Sequence, residues 1–261
     1  MNLKHITQEV VQLATECGGF IQQERAHFTL EHIEVKGKNV LVSYVDKEAE
    51  KMIVHRLKEI LPEAGFITEE NTIEEDNRAL KWIIDPLDGT TNFIHGVPCY
   101  STSIALARGE ELLIGVIYDI GQSDCFHAYQ GGGAYQNHEK ISISPITKLS
   151  ESLLATGFPY CNFDNMERYL AILNQLMQNS HGIRRMGSAA IDLVYTAMGR
   201  FEGFFEYNLN AYDVAAGALI VQEAGGLVSN FSGGKDFLFK REIVATCGIQ
   251  QELLDVIKKH W

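Results

Sequence analysis

The sequence predicts a mixed α/β (α+β) protein, and three observations carry that prediction. Between residues 99 and 136, apolar runs alternate with Gly-containing turns, the pattern of an antiparallel meander. After residue 152, strand-length and helix-length segments alternate, which argues for helices layered on a sheet. Two short apolar strands, Gly65-Phe66-Ile67 and Trp82-Ile83-Ile84, run directly into acids. Strands of an open sheet present a ligand crevice in this way, at their C-terminal ends.

In chain order, residues 3–25 predict an amphipathic helix, with Leu3, Ile6, Val10, Leu13, Ala14, Cys17 and Ile21 at three- and four-residue spacing. The polar run from Glu34 to Asn39 predicts a mobile loop. Residues 43–60 predict a second helix with Val45, Ala49, Met52, Ile53, Leu57 and Ile60 on one face. Asp46 near its start suits the positive end of the helix dipole. The strand at 65–67 finishes on Thr68-Glu69-Glu70. The strand at 82–84 finishes on Asp85, where Pro86 is expected to end the ladder by removing a donor. Strands follow at 100–107, 112–118 and 124–129, and Gly131-Gly132-Gly133 reads as a hairpin turn. No helix follows those glycines and no G-x-G-x-x-G is present, so they are not a dinucleotide fingerprint. A seam at 144–152 suggests two subdomains: 1–146, carrying the acidic motif, and 147–261, completing the site. The second half predicts strands at 153–156, 182–185, 203–206 and 243–246. Its predicted helices are 166–177, 188–198, 211–224 and 250–260.

Composition narrows the function. The chain has 261 residues, 46% of them hydrophobic, enough for one large domain or two packed subdomains. A net charge of −12 argues against nucleic acid or an anionic membrane as partner. No apolar run approaches the length of a membrane span, and the N-terminus lacks a signal-peptide pattern. The five cysteines at 17, 99, 125, 161 and 247 are odd in number and widely spaced, which predicts free thiols in a reducing cytoplasm. Nine histidines without an HExxH give zinc little support.

The chemistry concentrates in Asp85-Pro86-Leu87-Asp88-Gly89-Thr90-Thr91-Asn92-Phe93. Two carboxylates stand close enough to share an ion, Gly89 lets backbone approach a ligand, and Thr90 opens what reads as a helix. Turn formation alone would not require two acids and two threonines together. Glu69 ends the other strand, and Asp213 starts the helix containing Ala215-Ala216-Gly217-Ala218. Glu69, Asp85, Asp88 and Asp213 are hard oxygen donors, a set that selects Mg²⁺ or Mn²⁺. Acids around an anion site repel phosphate unless cations intervene, whereas with cations they form a clamp for displacement at phosphorus. Thr90 is placed to hold a water and Asp46 to accept its proton through the hydroxyl.

Three other readings fit the residues less well. A haloacid-dehalogenase-type phosphatase has its two acids two residues apart, not three as in Asp85 and Asp88. A P-loop would need a GxxxxGK[ST]. A metal-binding regulatory protein without turnover would more naturally have lost a ligand.

The chain resembles the inositol monophosphatase family of the Mg²⁺-dependent, lithium-sensitive phosphatase superfamily. Asp85–Phe93 fits the DP(I/L)DGT-T-N-F signature without gaps, and Glu69-Glu70 fits the upstream acidic pair. Asn210 to Gly217 fits the second signature, W-D-x-A-A-G. Gly187-Ser188-Ala189-Ala190 and Gly203-Phe204-Phe205-Glu206 match stretches typical of the inositol-phosphate branch. Tyr212 stands where tryptophan is usual, and Val40 and Ser43 replace the Asp and Thr of a common D-L-V-T stretch.

The resemblance implies a layered αβαβα sandwich, usually a homodimer, with two to three Mg²⁺ per active site. It implies that Glu69, Asp85, the Leu87 carbonyl, Asp88 and Asp213 bind metal. Glu69, Thr90 and Asp46 would position the attacking water, and Gly89 and Thr90 amides would hold the phosphate. Asp88, Ala189, Glu206 and Asp213 would line the sugar-alcohol side. The implied substrate is a small phosphate ester, inositol 1-phosphate first. Related branches take fructose 1,6-bisphosphate, 3′-phosphoadenosine phosphates or histidinol phosphate, and one bacterial member acts in RNA metabolism.

Overall fold

A computed structural model describes residues 1–29, 33–37, 40–74, 77–159 and 163–261. Helix α1 (Leu3–His27) leads into a hairpin of β1 (Ile33–Gly37) and β2 (Val40–Ser43). That hairpin replaces the loop expected from Glu34 to Asn39: paired strands satisfy backbone groups that a polar loop would leave to water. Lys38 and Asn39 lie outside the described residues. Helix α2 (Tyr44–Ile60) follows, capped by the Ser43 hydroxyl, which accepts from the Val45 amide at 3.2 Å. Ser43 thus supplies the N-cap oxygen that a threonine would offer.

Strands β3 (Gly65–Thr68) and β4 (Leu80–Asp88) pair in parallel. The short helix α3 (Thr90–His95) precedes β5 (Ser101–Arg108), β6 (Glu111–Asp119) and β7 (Asp124–Tyr129), the expected meander. Two brief strands, β8 (Ala134–Gln136) and β9 (Glu139–Lys140), extend it beyond the sequence reading. All seven strands from β3 to β9 lie side by side in sequence order.

The second half forms β10 (Leu153–Thr156), α4 (Met166–Asn179), β11 (Gly182–Arg184), α5 (Ala189–Ala197), β12 (Gly203–Tyr207) and α6 (Ala211–Glu223). Strand β13 (Leu227–Ser229) and helix α7 (Phe237–Lys240) come next, neither foreseen in the sequence. Strand β14 (Glu242–Thr246) and helix α8 (Gln250–His260) complete the chain. The second sheet has the order β11-β10-β12-β14-β13.

Strand alternation builds the layers. Trp82 and Ile84 face α1 and α2, while Ile83 faces the opposite core with α5 and α6. In the second sheet, Phe204 and Ala245 face that same central core, and Phe205 and Val244 face α4 and α8. The result is the layered αβαβα arrangement that the resemblance implied. Helix α6 is held so closely to the first sheet that a Cβ on Gly115 would meet the Ala216 carbonyl at 2.5 Å. The small residues of Ala215–Ala218 permit that approach.

The first sheet ends at Lys140 and the second begins at Leu153, yet α5 and α6 bury residues of both halves in one core. The division at residue 146 stands as a proposal about folding units. Among the described residues, no helix is long and apolar enough to cross a membrane. Cys17, Cys99, Cys125 and Cys247 are free and buried, and Cys161 lies outside the described residues.

Candidate active site

Strand β4 does not stop at Pro86, as its missing donor led one to expect, but runs through a bulge to Asp88. Asp85 pairs with Ser103 and Asp88 with Ser101, so Pro86 and Leu87 together oppose the single Thr102. The bulge takes the positions where Pro86 would owe a ladder bond, and its carbonyl accepts from the Thr102 hydroxyl at 3.0 Å. One extra residue also converts a three-residue spacing into the phase of a two-residue one. Asp85 and Asp88 therefore share a face, and both line one cavity.

Gly89 follows at φ +93°, where a Cβ would meet the Cys99 carbonyl at 2.9 Å. Only glycine fits this turn without strain. The turn delivers Thr90, whose hydroxyl lies 3.0 Å from Asp46 Oδ1 and 3.0 Å from the Leu87 carbonyl. The other Asp46 oxygen accepts from the Ser43 amide at 2.9 Å and the Ser43 hydroxyl at 2.6 Å. Asp46 is fully buried behind Thr90 and is not itself part of the cavity wall.

The cavity measures about 230 Å³. Of the residues singled out in the sequence, Glu69, Asp85, Leu87, Asp88, Gly89, Thr90, Ala189, Glu206 and Asp213 line it. Glu69 comes from the end of β3, Ala189 from the start of α5 and Glu206 from β12. Asp213 sits in the first turn of α6, third after the cap Asn210, whose amide donates to it at 2.5 Å. Asp88 Oδ2 accepts from the Ser188 hydroxyl at 2.6 Å and the Ala190 amide at 2.7 Å, tying β4 to α5.

Electrostatics set the chemistry. Burial and repulsion from Asp213 raise Glu69 well above the usual carboxylate range. Burial and repulsion from Glu69, Asp88 and Asp213 do the same to Asp85. Burial pushes Asp213 up to about 7, with Asp88 adding to it. Burial also raises Asp88, against the bonds from Ser188 and Ala190. Glu206 is pushed up to about 8 by burial and then by Asp213, with Arg185 opposing.

Six acids and two arginines line the cavity, an excess that divalent cations would neutralise. Among the described residues, no three His, Cys, Asp or Glu side chains are close enough to cage an ion alone. Glu69, Asp85, Asp88, Asp213 and the Leu87 carbonyl are hard oxygen donors around one cavity, the chemistry that suits Mg²⁺ when water and substrate oxygens complete its shell.

Sequence reasoning missed Asp192, Arg185 and Arg241 in the cavity wall. Asp192 is buried on α5, and its Oδ1 has no hydrogen-bond partner among the described residues. Burial, then Glu206 and Asp88, raise it well above its ordinary value. A lone acid within the apolar run Ala189–Ala197 was the available signal. Arg185 lies over the Phe158 ring, 6.0 Å from its centroid. Arg241 caps the unforeseen α7 at φ +64° and donates to the Asn208 carbonyl at 3.0 Å. Tyr212, in the place of the usual tryptophan, lines the cavity and accepts at its hydroxyl from Asn210 at 2.8 Å.

The family model described as "Inositol monophosphatase family" matches residues 2–261. An inositol-1-monophosphatase of Mesorhizobium japonicum is 38% identical over 252 residues, covering 96% of this chain and 95% of that protein. The Nus factor SuhB of Escherichia coli K12 is 37% identical over 259 residues, covering 95% and 97%. Among solved structures, the extragenic suppressor protein suhB of Bartonella henselae superposes with a TM-score of 0.91 at 37% identity, covering 98% and 100%. Inositol monophosphatase from Anabaena superposes with a TM-score of 0.88 at 30% identity, covering 100% and 98%.

Proposed function

Because this chain belongs to the inositol monophosphatase family, we propose that it is a Mg²⁺-dependent phosphomonoesterase whose preferred substrate is inositol 1-phosphate. The observation that supports this most is the convergence of Glu69, Asp85, Asp88 and Asp213 on one cavity, directly beside the Thr90–Asp46 pair. Glu69, Asp85, the Leu87 carbonyl, Asp88 and Asp213 would hold two to three Mg²⁺. When bound, these ions lower the pKa of water and offset the phosphate charge.

The chain's own residues do the rest. Gly89 and Thr90 amides hold phosphate oxygens at the start of α3. Glu69 and the Thr90 hydroxyl orient a water for in-line attack on phosphorus. As its oxygen bonds to phosphorus, the water gives a proton to Thr90, which passes its own to Asp46 Oδ1. The ester P–O bond breaks on the side lined by Ala189, Glu206 and Asp213, its electron pair leaving with the alcohol oxygen, which takes a proton from solvent water. Glu206 suits a polyol: near neutral pH a carboxyl pushed up to about 8 both donates to and accepts from hydroxyls.

Phosphate release from inositol 1-phosphate, adenosine 3′,5′-bisphosphate, fructose 1,6-bisphosphate and histidinol phosphate tests the assignment. Inositol 1-phosphate should give the highest kcat/KM, and a clear preference for another ester would move the chain to that branch. Lithium inhibition, a homodimer and a cytoplasmic setting belong to the same reading; the buried free thiols support the last. The relatives named Nus factor SuhB, at 37% to 40% identity, favour a second reading in which the chain also serves as such a factor. Phosphatase-dead variants that retain that role would separate the two.

A further inference from the structure

Helix α2 reaches the site twice. Asp46 stands behind Thr90, and one turn later, on the same face, Glu50 is buried with no exposed surface. A buried carboxylate needs donors for its lone pairs. Those of Glu50 come from a single loop, the one that follows β3 and begins with Glu69. The Glu70 amide donates to Oε2 at 2.7 Å, and the Thr72 amide and hydroxyl both donate to Oε1 at 2.7 Å.

The loop wraps this carboxylate tightly. Asn71, between the two donor residues, takes φ +53°, a left-handed conformation that asparagine adopts more readily than most residues with side chains and that turns the loop back toward α2. Its side-chain amide closes back on the Glu69 carbonyl at 3.0 Å. On the other side, the Glu69 amide donates to the Ile84 carbonyl of β4 at 3.3 Å. Glu69 is thus fixed at both ends, by the sheet before it and by Glu50 after it.

We infer that Glu50 is a positioning residue: its carboxylate gathers the loop at Glu70 and Thr72 and thereby sets the Glu69 carboxylate for cation binding. Glu50 does not line the cavity. It converts the rigidity of α2 into the placement of a side chain on a loop. The same helix then fixes both the Thr90 hydroxyl, through Asp46, and Glu69, through Glu50. The inference rests on the reading of Glu69 as a cation ligand.

Glutamine at position 50 keeps the volume but replaces one acceptor oxygen with a donor that meets the loop's N–H groups. Thr72→Val removes the hydroxyl bond at an exposed position, and Thr72→Ser restores it. Mn²⁺ affinity of the metal-free full chain, followed by the electron paramagnetic resonance of free Mn²⁺, reads the effect without turnover. Glu50→Gln and Thr72→Val should each weaken Mn²⁺ binding by roughly tenfold or more, the scale for removing an outer partner of a ligand. Thr72→Ser should bind like the parent, and the double variant should be no worse than Glu50→Gln. Glu69→Gln serves as the reference. If it leaves Mn²⁺ affinity unchanged, the ligand reading of Glu69 fails. If Glu69→Gln weakens binding while Glu50→Gln and Thr72→Val only lower Tm, the positioning role is overturned. Should Glu50→Gln not fold, Thr72→Val and its Ser partner decide the matter alone.

Discussion

Asp85 and Asp88 are three residues apart in sequence but lie opposite Ser103 and Ser101, which are two apart. A regular strand would have turned one acid toward the cavity and the other toward α1 and α2. The bulge at Pro86 and Leu87 turns both to the cavity, where Asp88 also holds the start of α5.

Those acids should make activity depend on a hard divalent cation. Turnover should need Mg²⁺ and stop in EDTA, and Ca²⁺, with its looser coordination, should inhibit. Asp88→Asn and Asp213→Asn should each lower kcat by ~10²-fold or more, the scale of losing a principal electrostatic stabiliser. Full turnover in EDTA would end the metal-dependent reading.

Thr90 and Asp46 should act as one unit. Asp46→Asn keeps a group that can accept the Thr90 bond but cannot take its proton, so kcat should fall by ~10²-fold or more with KM nearly unchanged. Burial raises Asp46, against the bonds from Ser43 and Thr90. Because the ionised form is the acceptor, kcat should fall on the acid side, with its midpoint above the ordinary aspartate value. A wild-type kcat for Asp46→Asn, measured in a steady-state assay, would remove the residue from proton transfer.

Asp85 should not become phosphorylated. Its Oδ1 accepts from the Leu87 amide at 3.0 Å, and the carboxyl is buried among the like charges of Glu69, Asp88 and Asp213. Rapid quench and mass spectrometry should find no phosphoenzyme. In ¹⁸O-water, the label should enter phosphate in a single turnover and stay out of Asp85. A trapped aspartyl-phosphate would restore the dehalogenase-type mechanism.

Gly157 should control substrate choice through Glu206. A Cβ there would meet both Glu206 carboxylate oxygens at 2.1 Å, and the backbone at this glycine is otherwise ordinary. Gly157→Ala should therefore displace the carboxylate with little loss of stability. Its effect should match Glu206→Ala: KM for inositol 1-phosphate rises roughly tenfold, as for a lost hydrogen bond of about 1.5 kcal/mol. An ester lacking nearby hydroxyls should be little affected. Equal losses in kcat/KM for both substrates would make Glu206 structural.

The metal-free protein should lose stability as pH rises. Glu206 at about 8 and Asp213 at about 7 bind protons more tightly folded than unfolded, where such carboxyls sit near about 4. Their contribution is complete below about pH 4 and is lost as pH climbs through about 7 to 8. Thermal melts in EDTA should show Tm falling between about pH 5 and about pH 8.5, by about 2–4 °C per kcal/mol for a chain of this size. Glu206→Gln should flatten the slope, and a Tm that rises over that range would contradict it.

Much of this was legible because periodicity and motif spacing are local. The helix at 3–25, the meander and the alternating second half depend on which residues recur at which interval, and the structure places them as expected. The Asp85–Phe93 stretch and the Asp213 signature likewise carried the family without any contact being known.

What the chain alone determined was thus the inventory: a meander, an alternating set of strands and helices, and a group of oxygen donors suited to divalent cations. Tertiary structure decided which donors meet and what holds them. Pro86 read locally as a strand end, because its lost donor is visible in sequence and the opposing Thr102 hydroxyl is not. Asp192, Arg185 and Arg241 join the cavity only because α5, α7 and their neighbours fold onto it. Glu50 reads as one more polar residue on a helix until the loop from Glu69 to Thr72 closes over it. The physical reason is the same in each case. Propensity and hydrophobic pattern act over a few residues, whereas the partners of a buried polar group are chosen by packing between distant segments.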